Sequence, residues 1–216
     1  MEFSRRVLLL GLGALTRAGA SGAHALYFEP NRGQFAEGAF GSDQEYWQGL
    51  FGASRMRFQA KTLVGDPGPT GASAARRGPA QPDLALSLVG AAERAPVGED
   101  KRQGRSDYYF HGDPKTFIRN TPHFYRLRYS EAWPGVDLVV RGWEGSLEVA
   151  TVCSDASGLA AAGFLCHGAA AGRDRQGHAV LAASWGRIVL PPARDPGGRT
   201  LSGAWRLDGD GALRFA

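Results

Sequence analysis

From Leu84 onward apolar residues recur at every second position, and that period leaves the chain few folds to choose from. Leu84, Leu86 and Leu88 alternate with Ala85 and Ser87, and Tyr125, Leu127 and Tyr129 alternate with Arg126 and Arg128. Successive side chains of a strand point to opposite faces, so such runs read as strands with one dry face. Val136 to Val140 and Leu147 to Cys153 add two more runs rich in β-branched residues. Near the end, Trp205 and Leu207 pair naturally with Leu213 and Phe215 across Asp208-Gly209-Asp210-Gly211, residues that tolerate the positive φ angles of a hairpin turn. Short strands at this spacing predict an all-β fold, an antiparallel sandwich-like or open-barrel domain. Residues 26–216 read as a single β-rich domain of ordinary size.

Two segments depart from the alternation. Gly65 to Asp83 is dense in Gly, Pro, Ala and Ser and reads as a long flexible loop. Ser42-Asp43-Gln44-Glu45 has capping-box spacing ahead of Tyr46-Trp47 and Leu50-Phe51, which predicts one short helix. Gly 31 and Pro 12 together make about a fifth of the 216 residues, in keeping with many turns and few long helices.

The first 25 residues read as a leader. Arg5-Arg6 precede the apolar run Val7 to Leu15, and Ala23-His24-Ala25 has the small-x-small pattern of a signal-peptidase site. Nine apolar residues are too few to cross a bilayer, which takes about 20 in a helix. Ser4-Arg5-Arg6-Val7-Leu8-Leu9 also fits the twin-arginine export motif, so the general and twin-arginine routes both stay open. No second apolar stretch of spanning length follows, and no membrane span is expected after removal of the leader.

The formal net charge is +4, and the leader contributes half of it through Arg5, Arg6 and Arg17 against Glu2. The remaining basic residues are scattered, with no run beyond Arg76-Arg77 and Lys101-Arg102. That distribution argues against a nucleic-acid interface, which needs clustered cations. Cys153 and Cys166 are the only cysteines. In an oxidising compartment they either close a disulfide or stay as two buried thiols. Neither a metal site nor a cofactor is expected: no C-x-x-C spacing, zinc-peptidase helix, P-loop or dinucleotide fingerprint is present, and Asp208-x-Asp210-Gly211 lacks the distal Glu of a calcium loop.

Several blocks together resemble a known module. Phe28-Glu29-Pro30-Asn31-Arg32-Gly33-Gln34, then Gly104-Arg105-Ser106-Asp107-Tyr108-Tyr109-Phe110 with Gly112-Asp113-Pro114, Thr121-Pro122, Tyr125 and Tyr129, then Trp133-Pro134-Gly135-Val136-Asp137-Leu138-Val139, and a closing Trp205-Arg206-Leu207-Asp208-Gly209-Asp210-Gly211, run in that order. This set is similar to the domain that opens exported bacterial proteins ahead of β-propeller repeats of the SBBP type. The resemblance implies an exported, β-rich module with no assigned activity. The Gly/Pro-rich loop stands where that family has a further strand pair, and no propeller repeat is seen before Ala216.

Candidates for chemistry are few. His111 with Asp113, and His123 near Asp137, are the arrangements that suit general acid–base work in an exported hydrolase. Tyr108, Tyr109, Phe110, Trp133 and Trp143 gather near turns, where exposed rings stack on sugars in a carbohydrate-binding module. The leading expectation is a non-catalytic structural or protein-interaction module of the bacterial cell envelope or secretome. Its partner would be an envelope protein or, under the sugar reading, an extracellular polysaccharide.

Overall fold

The computed structural model describes residues 26–44, 47–60, 84–110, 113–143, 146–183, 186–208 and 212–216. The leader and the Gly/Pro-rich loop lie outside the described residues. Two sheets face each other across one core. The first runs, in spatial order, β1 (Glu29–Pro30), β2 (Phe40–Asp43), β3 (Trp47–Phe51), β4 (Arg55–Ala60), β5 (Leu84–Val89), β10 (Gly163–His167), β15 (Ala212–Phe215) and β14 (Trp205–Leu207). The second runs β11 (Ala170–Arg173), β12 (Ala179–Ala183), β13 (Gly186–Leu190), β9 (Ser146–Cys153), β8 (Val136–Trp143), β7 (Ile118–Trp133) and β6 (Val97–Tyr108). Neighbours are antiparallel except β13 and β9, which run parallel. The fold is sandwich-like and does not close into a barrel.

Alternation accounts for the packing. Leu84, Leu86 and Leu88 of the first sheet and Leu127, Tyr129, Leu138 and Val140 of the second belong to one buried cluster. Tyr125 departs from the pattern: it is 48% exposed, and the Arg102 guanidinium lies over its ring at 4.4 Å. Arg126 and Arg128 occupy the outer face of the second sheet. Glu99 accepts from both at 2.8 and 2.7 Å, and Arg128 donates on to Asp137 at 2.8 Å. Pro134-Gly135 forms the turn between β7 and β8, with Gly135 at φ 71°, a left-handed conformation that glycine adopts without a Cβ penalty. The C-terminal hairpin has the expected register, Trp205 opposite Phe215 and Leu207 opposite Leu213.

One expectation is corrected. Ser42 does not cap a helix: Phe40–Asp43 and Trp47–Phe51 are paired strands, and the Ser42 hydroxyl donates to the Tyr27 carbonyl at 2.6 Å. Helical structure among the described residues is limited to 3-10 turns at Pro114–Thr116 and Ala156–Ala161. Of the two alternatives open for the cysteines, the structure has the thiols: Cys153, at the end of β9, and Cys166, on β10, are unbonded. Burial pushes both thiols up, which suits packing rather than reactivity.

The sheets are joined along both sides. On one, Arg173 of β11 reaches the Trp205 carbonyl of β14 at 2.7 Å. On the other, Phe28 and Phe124 exchange two backbone hydrogen bonds of 2.9 Å, which ties the start of the first sheet to β7. That second seam carries the polar cluster described next.

Candidate functional site

Antiparallel pairing of Phe28 with Phe124 sets Glu29 opposite His123 on one face. From the other flank, β6 pairs Ser106 with Thr121, so the Ser106 hydroxyl reaches diagonally to His123. The outcome is a compact set of polar groups in a dry place: Glu29 is 1% exposed and His123 is 9% exposed. Ser106 Oγ lies 2.7 Å from His123 Nε2. Glu29 Oε1 lies 2.9 Å from the same nitrogen but out of hydrogen-bond alignment, and Glu29 Oε2 accepts from the Tyr108 hydroxyl. Tyr27 stacks on the imidazole with ring centroids 3.9 Å apart. The opposite nitrogen, Nδ1, is packed on Gly104, where a Cβ would come within 2.8 Å of it.

Electrostatics follow from this burial. Desolvation raises the Tyr108 and Tyr27 hydroxyls above their usual range, and the adjacent Glu29 adds to the effect. Desolvation also lowers His123 below its ordinary 6.5, against the pull of Glu29 and with help from the Arg102 charge. The unfolded imidazole then takes up a proton at a higher pH than the folded one. Stability is therefore expected to fall as pH drops below about 6.5. An NMR titration of His123 is expected to give a midpoint below 6.5, and a midpoint at or above that value contradicts the assignment.

Chemically, this cluster lacks a relay. A serine nucleophile needs a histidine that takes its proton on one nitrogen while an acid orients the other. Here Ser106 and Glu29 both approach Nε2, and Nδ1 faces glycine. Asp137, expected near His123, instead binds Arg128 and the Glu131 amide. Asp113 caps the Pro114–Thr116 turn by accepting from the Lys115 amide at 2.9 Å. His111 lies outside the described residues.

The five aromatics do not form one platform. Trp133 is fully buried, with its indole N–H donating to the Val89 carbonyl at 2.7 Å, so it closes the core and is closed to sugars. Tyr108 is tied to Glu29, and Phe110 stacks on Tyr108 at 6.1 Å. Among the described side chains of the set, Tyr109 alone is widely exposed, at 59%, edge-on to Phe117. Trp143 ends β8, and its side chain lies outside the described residues.

Sequence reasoning missed Glu29, Ser106 and Tyr27 as members of the cluster, although Glu29 and Ser106 stand inside two blocks of the resemblance. It also missed an open cleft of about 610 Å³ at the same end, lined by Arg32, Gly33, Phe110, Lys115, Thr116, Phe117 and Ile118. A second hollow, beside Glu37 and Arg57, is much smaller at about 90 Å³. Among the described residues no cluster of metal-ligating side chains occurs, and no helix is long and apolar enough to cross a membrane.

No curated protein and no solved structure matches the chain. A family profile does match, over residues 28–189, a span that holds Glu29, Ser106, Tyr108, His123 and the whole cleft. The chain belongs to the family described as a domain of unknown function, DUF7948.

Proposed function

We propose that the chain is a non-catalytic module, exported from a bacterium, that works at the cell envelope or in the secretome by associating with another protein. The observation that carries this reading is the convergence of Ser106 and Glu29 on one nitrogen of His123. That geometry locks the opening strand to β7 and gives Ser106 no histidine with an acid behind it. The SBBP-like blocks and the leader support the exported location. A carbohydrate-binding role has less behind it, because Trp133 is buried and Tyr108 is engaged by Glu29.

Crosslinking in an expressing bacterium, followed by fractionation and intact-mass measurement, tests the proposal. The expected product begins at Leu26, lies outside the cytoplasm, and carries a protein at fixed stoichiometry. Full-length chain confined to the cytoplasm overturns the location. Turnover of nitrophenyl ester, glycoside or phosphate substrates that vanishes in a normally melting His123→Gln variant overturns the non-catalytic reading.

A further inference from the structure

We infer that the cleft between the opening loop and the Pro114–Thr116 turn binds an acidic peptide segment of a partner protein, with an apolar side chain of that segment seated between Arg32 and Lys115. This inference rests on the protein-association reading above and names the surface that performs it.

Three observations lead there. The first is shape: about 610 Å³ of open space falls in the range of functional ligand pockets and admits two or three peptide residues. Its wall is apolar at Phe110, Phe117 and Ile118, and its rim is cationic at Arg32 and Lys115.

The second is charge. Several guanidinium groups meet carboxylates, as in Arg57 with Glu37, Arg94 with Glu131, Arg128 with Glu99 and Asp137, and Arg141 with Glu148, while others meet only neutral oxygens, as in Arg173 with the Trp205 carbonyl and Arg187 with Ser146. The cleft gathers cations that meet no carboxylate. Among the described residues, no carboxylate lies within ion-pair distance of the Arg32, Lys115 or neighbouring Arg119 side chains. The adjacent acids are exposed but engaged by their own loops: Asp113 accepts from the Lys115 amide, and Asp107 from the Asn120 amide and the Tyr109 hydroxyl. Arg32 donates weakly to the Arg119 carbonyl at 3.4 Å, which ties the side chain to the start of β7, and a guanidinium is suited to taking a carboxylate bidentately.

The third separates a peptide from a sugar. Sugar hydroxyls need acceptors as well as donors, and the acceptors are usually side-chain carboxylates and amides. The lining offers none of these, and its Thr116 hydroxyl is already committed to the Phe110 and Asp113 carbonyls. A carboxylate next to an apolar group satisfies the lining as it stands.

The test uses fluorescence anisotropy with the full chain and three probes: a labelled five-residue peptide alternating glutamate and phenylalanine, its glutamine counterpart, and a labelled oligogalacturonate. The acidic peptide is expected to bind at least about tenfold more tightly than the glutamine peptide, and to weaken about tenfold or more in the Arg32→Glu/Lys115→Glu variant. Both substituted side chains are exposed, so the variant is expected to melt like the parent. Phe117→Ala, which keeps every charge, is expected to weaken the same peptide severalfold. Equal binding of the two peptides, tighter binding of the oligogalacturonate, no binding at all, or full affinity in the double charge reversal each overturns the inference. Repeating the cellular crosslinking with the double variant separates the two claims. Loss of the crosslinked partner supports both, whereas an undiminished partner leaves the association reading standing and removes the cleft.

Discussion

Trp133→Ala is expected to cost about 4 kcal/mol, the largest effect of any single substitution proposed, because it removes the buried end of an aromatic chain and orphans a carbonyl. Trp133 is fully buried and meets Phe164 edge-to-face at 5.5 Å, Phe164 meets Trp205 at 4.8 Å, and Trp205 meets Phe215 at 5.5 Å. Through Phe164 the indole links the end of β7 to β10, β14 and β15 of the opposite sheet. Its N–H also satisfies the Val89 carbonyl. Against a typical stability of about 5–15 kcal/mol, such a loss removes a large fraction of the folded population. Trp133→Phe keeps a ring and loses the donor, and is expected to cost about 2 kcal/mol. Urea unfolding midpoints read both. A Trp133→Ala loss under about 1 kcal/mol means that the site collapses onto the void, contrary to the packing described.

The second large effect is expected at Glu29. Glu29→Ala leaves the Tyr108 hydroxyl without its acceptor and His123 without its acidic neighbour in a buried seam, at an expected cost of about 3 kcal/mol. Tyr108→Phe removes only the donor and is expected to cost about 1–2 kcal/mol. The double variant is expected to cost clearly less than the sum of the two, since the second change removes a group already orphaned by the first. Additivity within about 0.5 kcal/mol means that the two residues do not act on each other. The pair also distinguishes a structural seam from an active one: both variants lose stability, and neither uncovers or removes a turnover.

What the sequence made legible is what short range controls. The alternation in Leu84 to Leu88 and the pairing of Trp205–Leu207 with Leu213–Phe215 depend on neighbours two to ten positions away, and both appear as read. The Ser42 capping box failed for the opposite reason. A four-residue capping pattern is worth little beside a tertiary hydrogen bond to Tyr27 and the burial of Leu50 and Phe51 on β3. The polar seam was out of reach altogether. Glu29 and Tyr108 are 79 residues apart, and only the pairing of Phe28 with Phe124 brings them together. His123 was singled out, but its acid was sought at Asp137, close in sequence and occupied by Arg128. Nor does one-dimensional spacing distinguish a buried aromatic from an exposed one, which is why Trp133 and Tyr109 looked alike.

The strand order of the first sheet has a kinetic consequence. Strands β1 to β5 form a meander from successive segments, but β5 takes β10 as its next neighbour, and β10 then pairs with β15 at Ala212–Phe215. Loop-closure entropy must be met before those distant pairings return any stability, which places the chain among slow, non-local folders, with refolding expected in roughly milliseconds to seconds. Until residues 212–215 are in place, β10 presents a bare edge beside Phe164. During that interval the chain is open to pairing with other molecules, and the yield of refolding is expected to fall as protein concentration rises.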